Sequence, residues 1–348
     1  MELEFDFLKR LVSTPGVSGQ EEQVRELILS HSVCKKVSSA SVDRLGNLVL
    51  DFGGEGPTVL LDAHMDEVGF MVRRVDKRGF VWFIPLGGMD VNTVAGQRVV
   101  VHGRRDLHGV IGQPPPHLSR LARSNGSIEM NDLFVDLGMD ASRVKEMVRP
   151  GDAITFPAVW EDSEDAVFAK ALDDRVGIFV ILQSVADYLA SYTEPSGFRL
   201  LTSFTVQEEN GLKGAGPVFA SLQPDLVLVM EGTVCNDLPG TSDKDLLAIA
   251  GKGPEIRLSD GRFLAHGAMA ATLQKLAEES RIPYQVVVKS VGGTNAAMFQ
   301  VQGRGCMAGA LSVPVRYIHS PSGVARKDDI FNTVRLLSLF LENLKKLF

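Results

Sequence analysis

Apolar residues in the first part of the chain recur at two different spacings. Leu3, Phe7, Leu8 and Leu11 follow the 3, 4, 7 spacing of an amphipathic helix over residues 2–11, and Thr14, Pro15 and Gly16 stop it. A second helix is predicted from Ser18, because Ser18 with Glu21 makes the capping-box pattern ahead of Val24, Leu27 and Ile28. Residues 47–52 and 58–61 then read as strands, the second an unbroken apolar run of the kind buried on both faces of a sheet.

From residue 70 to residue 157 the texture changes. Short β-type runs at 80–84, 98–101 and 110–111 alternate with Gly, Asp, Asn and Pro turns, and long helical periodicity is nearly absent. This predicts a small β-barrel or sandwich inserted into an α/β domain, with the triplet Pro114, Pro115, Pro116 inside it. After Lys170 the α/β pattern returns: a helix over 174–189, strands over 198–206, 226–230, 285–289 and 311–318, and helices over 263–280 and 328–347. The last helix places Ile330, Val334, Leu337, Phe340 and Leu344 on one face. The predicted division is therefore a domain from residues 1–69 and 158–348 with an insertion over 70–157, and there is no internal repeat.

Composition narrows the class. A length of 348 residues suggests about two domains, and 45% apolar with 23% charged residues is an ordinary globular mix. With 36 Lys and Arg against 43 Asp and Glu, the net charge of −7 lacks the basic field that attracts phosphate backbones, so no nucleic-acid partner is expected. Cys34, Cys235 and Cys306 show no CxxC spacing, which fits a reducing compartment. The acidic start MELEFDFLKR is unlike a signal peptide, and no apolar run reaches the ~18 residues of a membrane span, so a cytoplasmic protein without membrane contact is expected.

Four groups of metal-capable residues fall just past predicted strands: Asp62 to Asp66, Glu208 with Glu209, Glu231, and His319. Open α/β sheets gather ligands outside the carboxyl ends of their strands, so these groups should converge. Taken singly each has a plainer explanation: Asp173 as a helix N-cap, His64 or His319 as a loop histidine, Glu208 and Glu209 as a solvated turn. Together they are harder to explain, because like charges crowded in a crevice repel unless a cation holds them. Imidazole and carboxylate without thiolate suit zinc, cobalt or manganese. Two cations about 3.5–4 Å apart would need a bridging carboxylate and terminal ligands, and His64, Asp173, Glu209, Glu231 and His319 are the candidates. Glu208 is left over as a general base for a water, and Asp66 is placed to take the second N–H of His64.

Competing readings are weak. Gly16 to Gln20 lacks the last glycine of a nucleophile elbow, and Gly303 to Gly309 has the wrong spacing for a dinucleotide loop. His31, His102, His108 and His266 are expected to be structural or surface residues, and His117 a turn residue.

The strings Ala63-His64-Met65-Asp66-Glu67-Val68-Gly69, Ala171-Leu172-Asp173-Asp174-Arg175, Gln207-Glu208-Glu209-Asn210-Gly211-Leu212-Lys213-Gly214-Ala215, Gly292-Gly293-Thr294-Asn295-Ala296 and Arg316-Tyr317-Ile318-His319-Ser320-Pro321 resemble the M42 metallo-aminopeptidases in order through nearly the whole chain. The resemblance implies a mixed sheet flanked by helices, as in dinuclear zinc exopeptidases, with an inserted barrel used for oligomerisation. It implies an enzyme removing N-terminal residues from short peptides, with zinc, cobalt or manganese, and a homo-oligomer built from dimers, up to a dodecamer. By motif position Asp173 would bridge two ions, His64 and Glu231 would complete one, Glu209 and His319 the other, and Glu208 would be the base. Two departures stand out: Glu231 occupies a place where Asp is expected, and residues 322–327 lack an acidic residue behind the His-Ser-Pro string. A dinuclear amidohydrolase acting on N-acyl amino acids is the alternative that uses the same metal chemistry.

Overall fold

The computed structural model describes residues 3–113, 128–192, 195 and 197–348; His117 and the proline triplet lie outside the described residues. Along the chain, helices Phe5–Ser13 and Glu22–Leu29 lead into strands β1 (Ser39–Val42), β2 (Leu48–Asp51) and β3 (Thr58–His64). Strands β4 (Gly69–Val75), β5 (Val81–Leu86), β6 (Arg98–His102), β7 (Asp106–Gly112), β8 (Phe134–Asp136) and β9 (Ala153–Thr155) follow. After β10 (Trp160–Asp162) and β11 (Ala166–Ala169), helix Leu172–Ser191 precedes β12 (Arg199–Thr205), helix Ala215–Leu222 and β13 (Leu226–Val234). The chain ends with β14 (Glu255–Ser259), helix Gly267–Glu279, β15 (Gln285–Val288), helix Ala296–Phe299, β16 (Met307–Arg316), β17 (Gly323–Arg326) and helix Lys327–Asn343.

Eleven strands form one mixed sheet in the order β1-β2-β12-β3-β13-β16-β17-β11-β10, with β14 and β15 branching from β16. Its centre, β12-β3-β13-β16, is parallel, which explains the near-continuous apolar runs there: both faces are covered. Leu61 and Leu228 pack on one side with Val176, Ile178 and Phe179 of helix Leu172–Ser191. Alternate residues Leu60, Val227 and Val229 point the other way, onto Phe219 and Phe299. No described helix is long and apolar enough to cross a membrane.

Strands β4 to β9 close into a six-stranded barrel in the order β4-β5-β8-β7-β6-β9. It has its own apolar core, in which the Phe70 ring lies tilted 4.6 Å from Phe83 and edge-on 5.7 Å from Phe156. In β7, Leu107, Gly109 and Ile111 face in while their neighbours face out, the alternation of a barrel wall.

Two sequence expectations change, and one strand gave no sequence signal. Ser18 does not cap the second helix, which starts at Glu22; its hydroxyl donates instead to the Asp66 carboxylate at 2.6 Å. Glu231 is not past its strand but inside it, because β13 stays paired with β16 as far as Val234. Strand β1 has no apolar pattern at all: its four residues are exposed, and only antiparallel pairing to β2 holds them. Of the remaining histidines, His102 bridges Asp106 and Thr155, and His31 is buried, accepting the Val33 amide.

Truncating the central core should be costly. Leu228→Ala, at a side chain with no solvent exposure, is expected to lower stability by about 3 kcal/mol, read as a lower denaturant midpoint with the barrel unchanged.

Candidate metal centre

The parallel register lines up the strand ends. Thr205 lies beside His64, and Asp62 lies beside Val229, so His64 and Glu231, each two residues further on, share a row. Past β12 the chain turns at Gln207, in the left-handed region with φ 55°, and delivers Glu208 and Glu209. Past β16 a turn brings His319, also left-handed at φ 56°. Asp173 and Asp174 open helix Leu172–Ser191 in non-helical conformations. Gly214 lets this turn close against β2's flank, since a Cβ there would sit 2.5 Å from both Asn47 Oδ1 and the Val206 carbonyl.

All five candidate ligands and Glu208 come together. His64 Nε2 lies 3.3 Å from Asp173 Oδ1, 3.9 Å from Glu231 Oε2 and 4.0 Å from Glu208 Oε2. His319 Nε2 lies 3.3 Å from Asp173 Oδ2 and 3.0 Å from Glu209 Oε1. The two imidazoles thus face the two oxygens of one carboxylate. Ligand atoms of His64, Asp173 and Glu209 lie within 4.8 Å of one another, as do those of His64, Asp174 and Glu231. Asp174 is already used, however. Its oxygens accept the buried backbone amides of His64, Gly177 and Gly232 at 2.9–3.1 Å, so it is Asp174, not Asp173, that caps the helix, and Asp173 remains open to the cleft.

The histidine Nδ1 atoms are 3.0 Å from the Asp66 carbonyl and 2.7 Å from the Gly88 carbonyl. A carbonyl only accepts, so each Nδ1 carries a proton, and each ring in its neutral form turns an Nε2 lone pair toward carboxylate oxygens. Glu209 Oε1 is buried, with His319 Nε2 at 3.0 Å as its named polar neighbour. Lone pairs facing carboxylates need a cation between them. Protons meet the same demand: burial opposes it, yet Asp173 and Glu209 raise His319 to about 11 and Asp173 with Asp66 hold His64 well above its usual value. Burial and neighbouring carboxylates push Glu208 well up and Glu231 to about 7, whereas the two histidines overcome burial and hold Asp173 well below the carboxylate range. Paired imidazoles sharing one carboxylate, with nitrogen and oxygen donors and no thiolate, fit borderline divalent metals.

The centre opens on a cleft of about 720 Å³ lined by Gly88, Leu247, Arg262, Val291 and Ile318 beside the acidic residues. Residues 46–336 match the M42 glutamyl aminopeptidase family. The lysyl aminopeptidase of Pyrococcus furiosus is 30% identical over 351 residues, covering 99% of this chain and 98% of that protein. The chain belongs to the M42 peptidase family. Among solved structures, the TET aminopeptidase from Thaumarchaeota archaeon SCGC AB-539-E09 aligns with a TM-score of 0.93 at 30% identity, covering 98% of this chain and 96% of that one. The TET1 peptidase of Pyrococcus horikoshii aligns at 0.85 and 32%, covering 97% and 98%. The protein is thus a peptidase with the mixed sheet and closed barrel of M42 members.

The structure refines the role read for Asp66 and gives contacts to Thr294 and Asn295, which the sequence reading named only within a string. Asp66 holds His64 chiefly through its main-chain carbonyl, while its carboxylate accepts the Glu208 and Glu209 amides and the Ser18 hydroxyl. Thr294 donates to Glu231 at 2.6 Å, and Asn295 bridges Asp62 and Thr205, which accounts for the Gly292-to-Ala296 string.

The raised groups set a pH dependence. Glu231 at about 7 and His319 at about 11 bind protons in the folded state that the unfolded chain has released, so their contribution is present at low pH and lost as pH rises. The chelated protein is therefore expected to lose thermal stability from pH 6 to pH 9, and zinc to abolish that loss by replacing protons. Calorimetry with and without chelator checks it; a metal-free midpoint that rises over this range contradicts it.

Proposed function

We propose that this M42 peptidase removes single residues from the free N-terminus of short peptides using two divalent metal ions, zinc foremost and cobalt or manganese as substitutes. The observation that carries this reading is Asp173 with one oxygen toward His64 and the other toward His319, the disposition of a bridging carboxylate. His64 and Glu231 would hold one ion, His319 and Glu209 the other. When bound, the ions would supply Lewis-acid polarisation of the scissile carbonyl and an acidified water.

The chain's own residues supply the rest. Glu208 faces the cleft with no side-chain hydrogen bond among the described residues, and burial with the neighbouring carboxylates raises its pKa well above the usual value, which favours proton uptake. It accepts the proton of the attacking water and passes it to the departing amine. Asp66 fixes the Nδ1–H tautomer of His64 and, through the Glu208 amide, the direction of the base. Glu231, one methylene longer than the expected Asp, is braced by the Thr294 hydroxyl. The cysteines are all free, which supports a cytoplasmic setting. The Pyrococcus horikoshii TET1 peptidase can assemble into a tetrahedron or a large octahedral shell; on that likeness we assign the insertion over residues 70–157 to self-association, through dimers and up to a dodecamer.

Matched peptides, free or acetylated at the N-terminus, test the reading in metal-loaded protein. Cleavage of free-amine peptides alone is expected, lost on chelation, with Glu208→Gln slower by about 10²-fold or more at unchanged metal content. Turnover of the acetylated peptides alone would establish the deacylase instead, and full activity in Glu208→Gln would remove the base.

A further inference from the structure

The turn carrying Glu208 and Glu209 is held from outside the cleft. Three successive amides point at buried carboxylates: Gln207 N at Glu21 Oε1 (3.1 Å), Glu208 N at Asp66 Oδ1 (3.0 Å) and Glu209 N at Asp66 Oδ2 (3.1 Å). Gln207 is a left-handed non-glycine residue, a conformation that persists only where its surroundings dictate it. Glu21 is 4% exposed, and the same Oε1 accepts the Gly19 amide at 2.7 Å. Although Glu21 precedes helix Glu22–Leu29, its side chain makes no capping bond to it. A buried carboxylate that does not serve its own helix is instead spent on a turn 186 residues away.

The segment bearing Glu21 is fixed in turn. Arg175 donates to the Leu11 and Thr14 carbonyls at 2.6 and 2.9 Å, and Gly16 exchanges two bonds with Glu67, one with its amide and one with its carboxylate, at 2.9 and 3.1 Å. Ser18 adds its hydroxyl to Asp66. Residues 14–21 therefore form a strap lying against the turn, tied at one end to the helix that carries Asp173.

We propose that Glu21, assisted by Ser18, is a positioning residue for the general base: by accepting the Gln207 amide it sets the left-handed turn from which Glu208 reaches the attacking water. The inference rests on the proposed function for its catalytic consequence. Reactive geometry is sensitive to displacements on the order of 1 Å, so loss of this acceptor acts on turnover rather than on substrate binding.

Because both hydrogen bonds go to one oxygen, a glutamine at this place keeps them and an alanine loses them. In metal-loaded protein, Glu21→Ala is expected to lower kcat at least about tenfold with KM within about twofold, at unchanged metal content, and Glu21→Gln to stay within about twofold of the parent. Hydrogen exchange at the Gln207 amide should be faster in Glu21→Ala and unchanged in Glu21→Gln. Should Glu21→Ala not fold, Glu21→Asp, whose shorter side chain loses the reach, takes its place in both measurements. An alanine or aspartate variant that keeps parental kcat, a glutamine variant as slow as alanine, or a loss that follows missing metal would overturn the proposal. If the parent cleaves no peptide, the proposed function falls, and amide exchange alone then decides the placement: unchanged protection at Gln207 in the alanine or aspartate variant overturns it.

Discussion

Two imidazole lone pairs aimed at one carboxylate inside a buried, acidic cleft are the constraint on which the rest of the site depends. Asp173, Glu208, Glu209 and Glu231 surround His64 and His319 closely enough that, without cations, the groups settle their repulsion by taking up protons. Charge of this density is tolerable only where the nearby carboxylates that do not meet a cation are each satisfied otherwise. Asp66 and Asp174 are occupied by backbone amides, and Asp62 by Ser203 and Asn295. Glu255, buried behind the cleft residues Arg257 and Lys289, is paired with both. What remains uncompensated is the set facing the cleft.

The sheet makes this possible by geometry. Parallel strands covered on both faces end together, and their last residues point past the hydrophobic core into the crevice. The apolar runs of β3 and β13 anchor His64 and Glu231 to a framework with essentially no solvent exposure, which keeps the ligand atoms preorganised at little conformational freedom. The barrel over Gly69–Thr155 packs its own core yet reaches the site through Gly88, whose carbonyl orients His319. The tautomer of one histidine of the candidate site is therefore set from the barrel.

Much of this was legible in the sequence, for physical reasons that also mark where legibility stops. Buried parallel strands must be apolar throughout, so β3, β12, β13 and β16 announce themselves, and chemistry placed just beyond them is readable by position. Strand β1 carries no burial and hence no pattern. Ser18 with Glu21 has the spacing of a capping box, but a buried carboxylate 48 residues away and an amide 186 away compete for those side chains and win; local spacing carries no trace of either. Asp173 and Asp174 are adjacent and chemically identical, so only the fold decides which caps the helix and which faces the cleft.

The central claim is that Asp173 stands between two cations. Anomalous diffraction at the zinc absorption edge, on crystals of zinc-loaded protein, tests it most directly. Two peaks on opposite sides of the Asp173 carboxylate are expected, one beside His64 and Glu231 and the other beside His319 and Glu209. A single peak, or peaks that leave Asp173 untouched, would contradict it.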